Sequence, residues 1–223
     1  MTPDPAAAVV LLSGGQDSTT CLAWTLKRFR RVEAVTIDYG QRHRIELEAA
    51  VAVARLAGVP QSVIPCDSFR ALGGNSLTGN EAVVDGVVAA TGLPNSFVPG
   101  RNLVFLTLAA AFAWQRSIPH LVAGVCQTDF SGYPDCRQTT LDALQAALCA
   151  GMDFPFEIHA PLMHLTKAES VHLAQELGCL PWLAHSHTCY NGSRPACGTC
   201  PACRLRAKGF AEAGVADPLM MVR

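Results

Sequence analysis

Ser13-Gly14-Gly15-Gln16-Asp17-Ser18 stands between a short apolar run, residues 6–12, and a helical pattern that begins near Thr19. A strand ending in a Gly-rich turn that feeds a helix is suited to bind an anion. The glycines let the backbone approach closely, and the first N–H groups of the helix lack intrahelical acceptors. Ser13, Ser18 and Thr19 add hydroxyl donors. The stretch lacks the Gly-Lys-Ser/Thr ending of a Walker A loop, so it is not a kinase-type or GTPase-type phosphate clamp.

Outward from this turn, apolar strand-like runs alternate with helical patterns, as parallel βαβ units do. Residues 7–12 read as the first strand and 19–30 as the first helix. Residues 33–38 read as the second strand, and 42–56 as a helix stopped by Gly58 and Pro60. Residues 61–65 follow as a third strand, 103–116 as a buried helix and 121–125 as a further strand. Residues 138–150 are amphipathic, with Leu141, Leu144 and Leu148 on one face. Residues 157–160 read as a short strand, and 167–177 as a helix ended by Gly178. Residues 68–99 are rich in Gly, Asn and small residues, with one short alternating piece near Val83, and read as a long loop of the lid or binding kind. The expected fold class is α/β: a doubly wound, Rossmann-like parallel sheet over residues 1–184, with ligands outside the carboxyl ends of its strands. A small C-terminal zinc-binding appendage, residues 185–223, is expected to pack on it.

The 223 residues are 50% hydrophobic and 16% charged, enough to bury a sizeable core. Seventeen basic against 18 acidic residues give a net charge of -1, which argues against an extended basic surface for nucleic acid, though not against a small patch. No basic-then-apolar leader and no apolar run of about 20 residues is legible. A cytoplasmic enzyme without nucleic-acid or membrane partners is the expectation.

Of the ten cysteines, Cys21, Cys66, Cys126, Cys136, Cys149 and Cys179 are scattered, while Cys189, Cys197, Cys200 and Cys203 cluster. In a reducing compartment, clustered cysteines more often hold a metal than cross-link. Two-residue spacing lets neighbouring thiolates converge through a tight turn, and Gly198 and Pro201 sit in those turns. A closed four-thiolate shell is the usual form of structural Zn2+. The Cys-x-x-Cys-x-x-Cys run also occurs in half of a ferredoxin motif, whose fourth cysteine lies downstream, whereas here it lies upstream. Zn2+ leads, with an iron–sulfur cluster or thiol redox chemistry as alternatives. The ion would be structural and would pin the tail at 205–210 onto the domain. His185 and His187 lie near but are not needed as ligands.

The Ser-Gly-Gly-x-Asp-Ser loop resembles the pyrophosphate loop of the ATP pyrophosphatase (PP-loop) superfamily. That likeness implies an adenine nucleotide alpha hydrolase-like sheet and transfer of AMP to a substrate oxygen. Further segments follow in order: Asp38-Tyr39-Gly40-Gln41-Arg42-His43, Val98-Pro99-Gly100-Arg101-Asn102, Ser131-Gly132-Tyr133-Pro134-Asp135-Cys136-Arg137, Pro161-Leu162-Met163, Lys167 and Thr188-Cys189-Tyr190. Together, from about residue 11 to 210, they resemble the 7-cyano-7-deazaguanine synthase family. The resemblance implies conversion of 7-carboxy-7-deazaguanine and ammonia to the nitrile at the expense of ATP, in queuosine biosynthesis. A carboxylate would have to expel oxide. Adenylation provides AMP as leaving group, first on the acid and then on the amide, in a site that excludes water.

The resemblance places ATP, with Mg2+, on Leu12, Ser13, Gly14, Gly15, Gln16, Asp17, Ser18, Thr19, Thr20, Cys21 and Leu22. It casts Asp17 as a Mg2+ holder or loop orienter, and Lys167 as the charge that neutralises the leaving pyrophosphate. Arg101 would grip a phosphate or the substrate carboxylate. Tyr39, Gln41, Arg42, Asp129, Tyr133, Asp135 and Arg137 are the substrate candidates. A carboxylate such as Asp135 suits guanine-like N–H donors, and Tyr133 or Phe97 could stack on the ring. Simpler roles stay open: turn capping for Asp129, Asp135 and Arg137, a solvated helix start for Lys167, a surface arginine for Arg101 and a cap for His43. Cys136 is read as structural. Gln127 stands where similar proteins often carry glutamate, and little effect is expected. No glutaminase-like segment is legible, so ammonia is expected free or from a partner. A homodimer is expected on base rate and resemblance. Two rivals stand beside this reading: a tRNA-thiolating pyrophosphatase with persulfide on a cysteine such as Cys136, and a zinc-ribbon binding module with a degenerate nucleotide domain. The near-even charge opposes the first and the intact loop the second.

Overall fold

The computed structural model describes residues 2–41, 44–79, 83, 86–127 and 132–221. Five strands, β1 (Ala7–Leu11), β2 (Arg31–Asp38), β3 (Gln61–Pro65), β4 (His120–Val122) and β5 (Glu157–His159), form one parallel sheet in the order β3-β2-β1-β4-β5. The helices are α1 (Gln16–Leu26), α2 (Ile45–Ala57), α3 (Ser68–Leu72), α4 (Arg101–Trp114), α5 (Gln138–Met152), α6 (Lys167–Glu176) and α7 (Pro201–Ala213).

Both sheet faces are covered, so the strands read as continuous apolar runs and not as alternations. On one face Val9, Val35, Ile37 and Leu121 pack against Ala109, Ala110 and Ala113 of α4 and Leu148 of α5. On the other, Ala8, Val10, Ala34 and Val122 meet Cys21 and Leu22 of α1 and Ala50, Val53 and Ala54 of α2. A further cluster joins Ala23 of α1, Val171 and Ala174 of α6, Leu183, and Phe210 of α7. The doubly wound α/β class is therefore the one observed. Winding proceeds outward from β1 to β3, then returns to place β4 on the other side of β1. The crevice above β1 and β4 is the switch point at which such sheets bind ligands.

Five local differences from the sequence reading have physical reasons. Helix α1 begins at Gln16, not Thr19, because Gly15 is its extended N-cap and Asp17 favours its positive first turn. Strand β4 stops at Val122, since Gly124 turns in toward α1: a Cβ there would lie 2.9 Å from Ser18 N. Helix α4 buries Leu106, Ala109, Ala110 and Ala113 but leaves Val104 and Trp114 exposed. The long loop at 68–99 contains α3 and a turn organised by Asn75, whose Oδ1 accepts from the backbone N–H groups of Leu77 and Thr78, each at 3.0 Å. The tail at 205–210 is part of α7, which opens on Pro201 and ends at Gly214 with φ 65°. Among the described residues no helix is long and apolar enough to cross a membrane.

Candidate active site

The turn after β1 is held from three sides. Within it, Ser13 Oγ and Ser18 Oγ lie 3.0 Å apart, and the hydroxyls of Ser18 and Thr19 donate to Gly15 O at 3.1 and 2.8 Å. Behind it, Gly14 has φ +84° and a Cβ there would sit 2.3 Å from Glu46 O, so only glycine lets the turn lie on α2. Beside it, His187 N–H donates to Gly14 O at 2.8 Å. No side chain caps α1, which leaves its first turn directed at the crevice.

Lys167 opens α6 behind an N-cap: Thr166 and Glu169 form a reciprocal capping box that sets the start of this helix. From there Lys167 Nζ reaches Asp17 Oδ2 at 2.6 Å, with the two side chains only 13% and 26% exposed. The other carboxylate oxygen, Asp17 Oδ1, is buried without a hydrogen-bond partner among the described residues, as is Gln16 Nε2. Two orphaned polar atoms on one loop are unusual in a folded protein and mark a place built for a ligand.

A cavity of about 670 Å3 opens above this loop, within the range of small-molecule sites. Leu12, Ser13, Gly15, Gln16, Asp17 and Ser18 line it, with Lys167, Tyr39, Gln41, Arg101 and Tyr133. The structure thus brings together all three predicted catalytic residues. Gly14, Thr19, Thr20, Cys21 and Leu22 do not line it: Thr20 Oγ1 donates to Gln16 O at 3.1 Å, and Cys21 and Leu22 are fully buried in the core. Asp135 is buried beneath the wall, where its Oδ2 accepts from Asn102 N at 3.0 Å and so caps α4. Arg137 is exposed at the N-cap of α5, off the cavity. Gln127 is likewise exposed, accepting from Gln138 N at 3.0 Å. Arg42, His43 and Asp129 lie outside the described residues.

The guanidinium of Arg101 stands 5.9 Å from each of the Tyr39 and Tyr133 ring centres, between two aromatic walls. Tyr133 is fixed by a 2.7 Å bond to Ser96 Oγ and by packing on Phe97 at 5.5 Å. Burial pushes the Tyr39 phenol up to about 12, so it is a neutral donor at any working pH. The sequence reading missed Glu46 on the wall and assigned no site role to Tyr190, which also lines it. Among the described residues the Glu46 carboxyl makes no hydrogen bond or ion pair. Burial raises it to about 7, with Arg101 pulling it the other way. Its only sequence signal was an acidic residue in the first turn of α2, which any helix favours.

Cys189, Cys197, Cys200 and Cys203 converge, their sulfurs all within 4.8 Å of one another and Cys197 Sγ 3.9 Å from Cys203 Sγ. A tetrahedron of Zn–S bonds near 2.3 Å has S···S edges of about 3.8 Å, so the four sulfurs fit a tetrahedral ion. Backbone N–H groups of Cys197 and Cys200 point at Cys189 Sγ and Cys197 Sγ, at 3.5 and 3.3 Å, and favour thiolates. A hydrogen bond from Thr199 helps lower the Cys197 thiol to about 5. This cluster can hold a metal.

Fold and loop together define a class: a PP-loop α/β protein with a nucleotide-type site at its switch point. Residues 7–214 match the model of a family described as queuosine biosynthesis protein QueC. A 7-cyano-7-deazaguanine synthase of Chromobacterium violaceum is 64% identical over 216 residues, covering 96% of this chain and 92% of its own. One from Laribacter hongkongensis is 60% identical, covering 97% and 95%. The chain belongs to the QueC family. Among solved structures, a U34-tRNA thiolase from Methanococcus maripaludis, described with its [4Fe-4S] cluster, superposes with a TM-score of 0.50. It shares 17% identity, covers 94% of this chain and 66% of its own, and shows likeness of fold alone.

Proposed function

We propose that this protein converts 7-carboxy-7-deazaguanine, ammonia and two ATP to 7-cyano-7-deazaguanine, two AMP and two pyrophosphate, through an adenylated acid and then an adenylated amide. Its membership of the family and the Asp17–Lys167 pair at the mouth of the cavity carry this reading. In the first step a substrate carboxylate oxygen attacks the α-phosphorus and pyrophosphate leaves. The N–H groups and hydroxyls of residues 13–18 receive the phosphates, and Lys167 takes up the negative charge that grows on the leaving group. Asp17 Oδ1 fits a Mg2+ ion, which would offset phosphate charge there. Ammonia then attacks the acyl carbon, expelling AMP.

Adenylation of the amide oxygen follows, and loss of AMP with the remaining nitrogen protons forms the nitrile. Each step after attack by nitrogen releases protons, and Glu46, with its carboxyl near 7, is the group on the wall suited to accept one. Tyr39 and Tyr133 supply flat faces for the ring, and Arg101 between them the cation for its carboxylate. Gln41, Arg42, Asp129, Asp135 and Arg137 remain the further substrate-reading candidates, with Asp135 and Arg137 acting from behind the wall. The four-cysteine site holds structural Zn2+ within the region 185–223, which clamps the nucleotide loop of the 1–184 domain. The exposed Val104 and Trp114 of α4 support a homodimer.

Purified protein incubated with ATP, ammonia and 7-carboxy-7-deazaguanine should yield the nitrile, detected by mass. Asp17→Asn should fold normally and slow AMP formation by a factor on the order of a hundred, as for loss of one charged group acting on the transition state. AMP formed only when tRNA is supplied would sink the proposal, and elemental analysis showing iron would overturn Zn2+.

A further inference from the structure

A second cluster of metal-ligating side chains lies away from the cavity, on the sheet. Strands β4 and β5 pair in parallel with His120 opposite Glu157 and Val122 opposite His159. That register puts His120, Glu157 and His159 on one face, the face covered by α1, because alternate residues share a side. His120 Nδ1 is 3.0 Å from His159 Nε2 and 3.4 Å from Glu157 Oε2, and His159 Nδ1 is 3.7 Å from Glu157 Oε1. One ligand atom from each residue can be chosen so that all lie within 4.8 Å of one another. None of the three lines the cavity.

We propose that His120, His159 and Glu157 form a second divalent-metal site, with two imidazoles and one carboxylate as ligands, that binds Zn2+ with a water in the fourth position. Zn–N bonds of about 2.0 to 2.1 Å make tetrahedral edges of about 3.3 to 3.4 Å. The His120–Glu157 separation of 3.4 Å matches that length and the His120–His159 separation of 3.0 Å is slightly shorter, so entry of an ion asks the two rings to part by a few tenths of an ångström. Two facing imidazole nitrogens share room for a single proton, and an ion satisfies both lone pairs at once. The rings are held in place by aromatic packing: Phe29 lies 4.9 Å from His120 and Trp24 lies 5.7 Å from His159.

The histidines are 16% and 20% exposed, whereas Glu157 is 59% exposed and gives access from solvent. Arg28, stacked 4.1 Å over Trp24, is a neighbouring charge that opposes a cation. Burial, with smaller contributions from His120 and Arg28, lowers the His159 imidazole from its ordinary value. Imidazole and carboxylate donors suit Zn2+, and Ni2+ and Cu2+ by the same chemistry. A bound ion would fasten β5, the edge strand, to β4.

Full-length protein with its cysteine site loaded and weakly held metal removed is titrated with Zn2+ in a calorimeter. One further equivalent is expected. The double variant His120→Ala/His159→Ala should lose it, Glu157→Gln should weaken it at least tenfold, and both should keep nitrile-forming activity. Cu2+ at one equivalent should quench Trp24 in the wild type and not in the double variant or in His120→Asn/His159→Gln, which guards against misfolding of the alanine pair. No further equivalent in the wild type, or equal uptake by wild type and folded double variant, overturns the proposal.

Discussion

Glu46 is the residue whose chemistry is least ordinary. Its carboxyl is pushed up to about 7 by burial, against an ordinary value of 4.5. A folded-state value raised above the unfolded one favours the protonated form in the folded chain. Its contribution is fully present below pH 4.5 and is lost as pH rises through 7. At pH 8 the buried charge therefore costs roughly 3 kcal/mol. Glu46→Gln keeps the shape without the charge and should raise the melting temperature of the free protein by about 6 to 12 °C at pH 8. At pH 4 the two should melt together. Thermal scans across that interval test it, and coincident melts at pH 8 would mean the carboxylate is solvated. If Glu46 accepts a proton in turnover, the same variant should lose the rise in rate that the wild type shows as pH passes 7.

At the scale of elements, the approach of α7 to α6 governs the position of Lys167. Gly209 sits mid-helix in α7, and a Cβ there would lie 2.7 Å from Lys167 Cβ. Alanine improves helix propensity by about 1 kcal/mol, but overpacking costs about 1 to 3 kcal/mol, so the clash wins. Gly209→Ala should lower stability in urea melts and reduce kcat by moving Nζ from the Asp17 side of the crevice. An unchanged kcat would show that α7 yields instead of α6.

That contact was not legible in the sequence, where Gly209 in a polar stretch disguised α7 as a tail. Strands β1 to β3 were legible because apolar runs broken by Gly and Pro have few other readings. The loop at 13–18 was legible for the same local reason. Glu46 and the His120–Glu157–His159 group were not, since each depends on segments that meet only in the assembled fold, and Tyr190 was legible as part of a family segment but not as a wall of the cavity.

Over the whole molecule, the cysteine cluster and the nucleotide loop are mechanically joined. Cys189 O lies 3.1 Å from His187 Nε2, and His187 N–H holds Gly14 O at 2.8 Å. From the other side of the cluster, α7 runs on to Arg206, whose guanidinium is 5% exposed and bonds both oxygens of Asp217 at 2.6 and 2.7 Å. Arg206 also donates to Ser186 Oγ at 2.7 Å and to Leu183 O at 3.0 Å, which locks the segment that leads into His187. Removing one partner from such a buried pair costs about 3 to 5 kcal/mol, so Arg206→Ala should be among the most destabilising single changes. The sheet, by contrast, has its own core on both faces and does not rest on the cluster. Withdrawing the metal should therefore loosen the clamp and leave the sheet folded. Loss of the hydrogen bond to Gly14 is worth about 1 kcal/mol, so amides at 13–18 should exchange roughly five- to tenfold faster after chelation, with KM for ATP rising by a similar factor. Amides of β1 and β2 should keep their protection. Hydrogen exchange read by mass before and after chelator treatment decides it: unchanged exchange at 13–18 would separate the metal from the loop, and global loss of protection would make the cluster a condition for the whole fold.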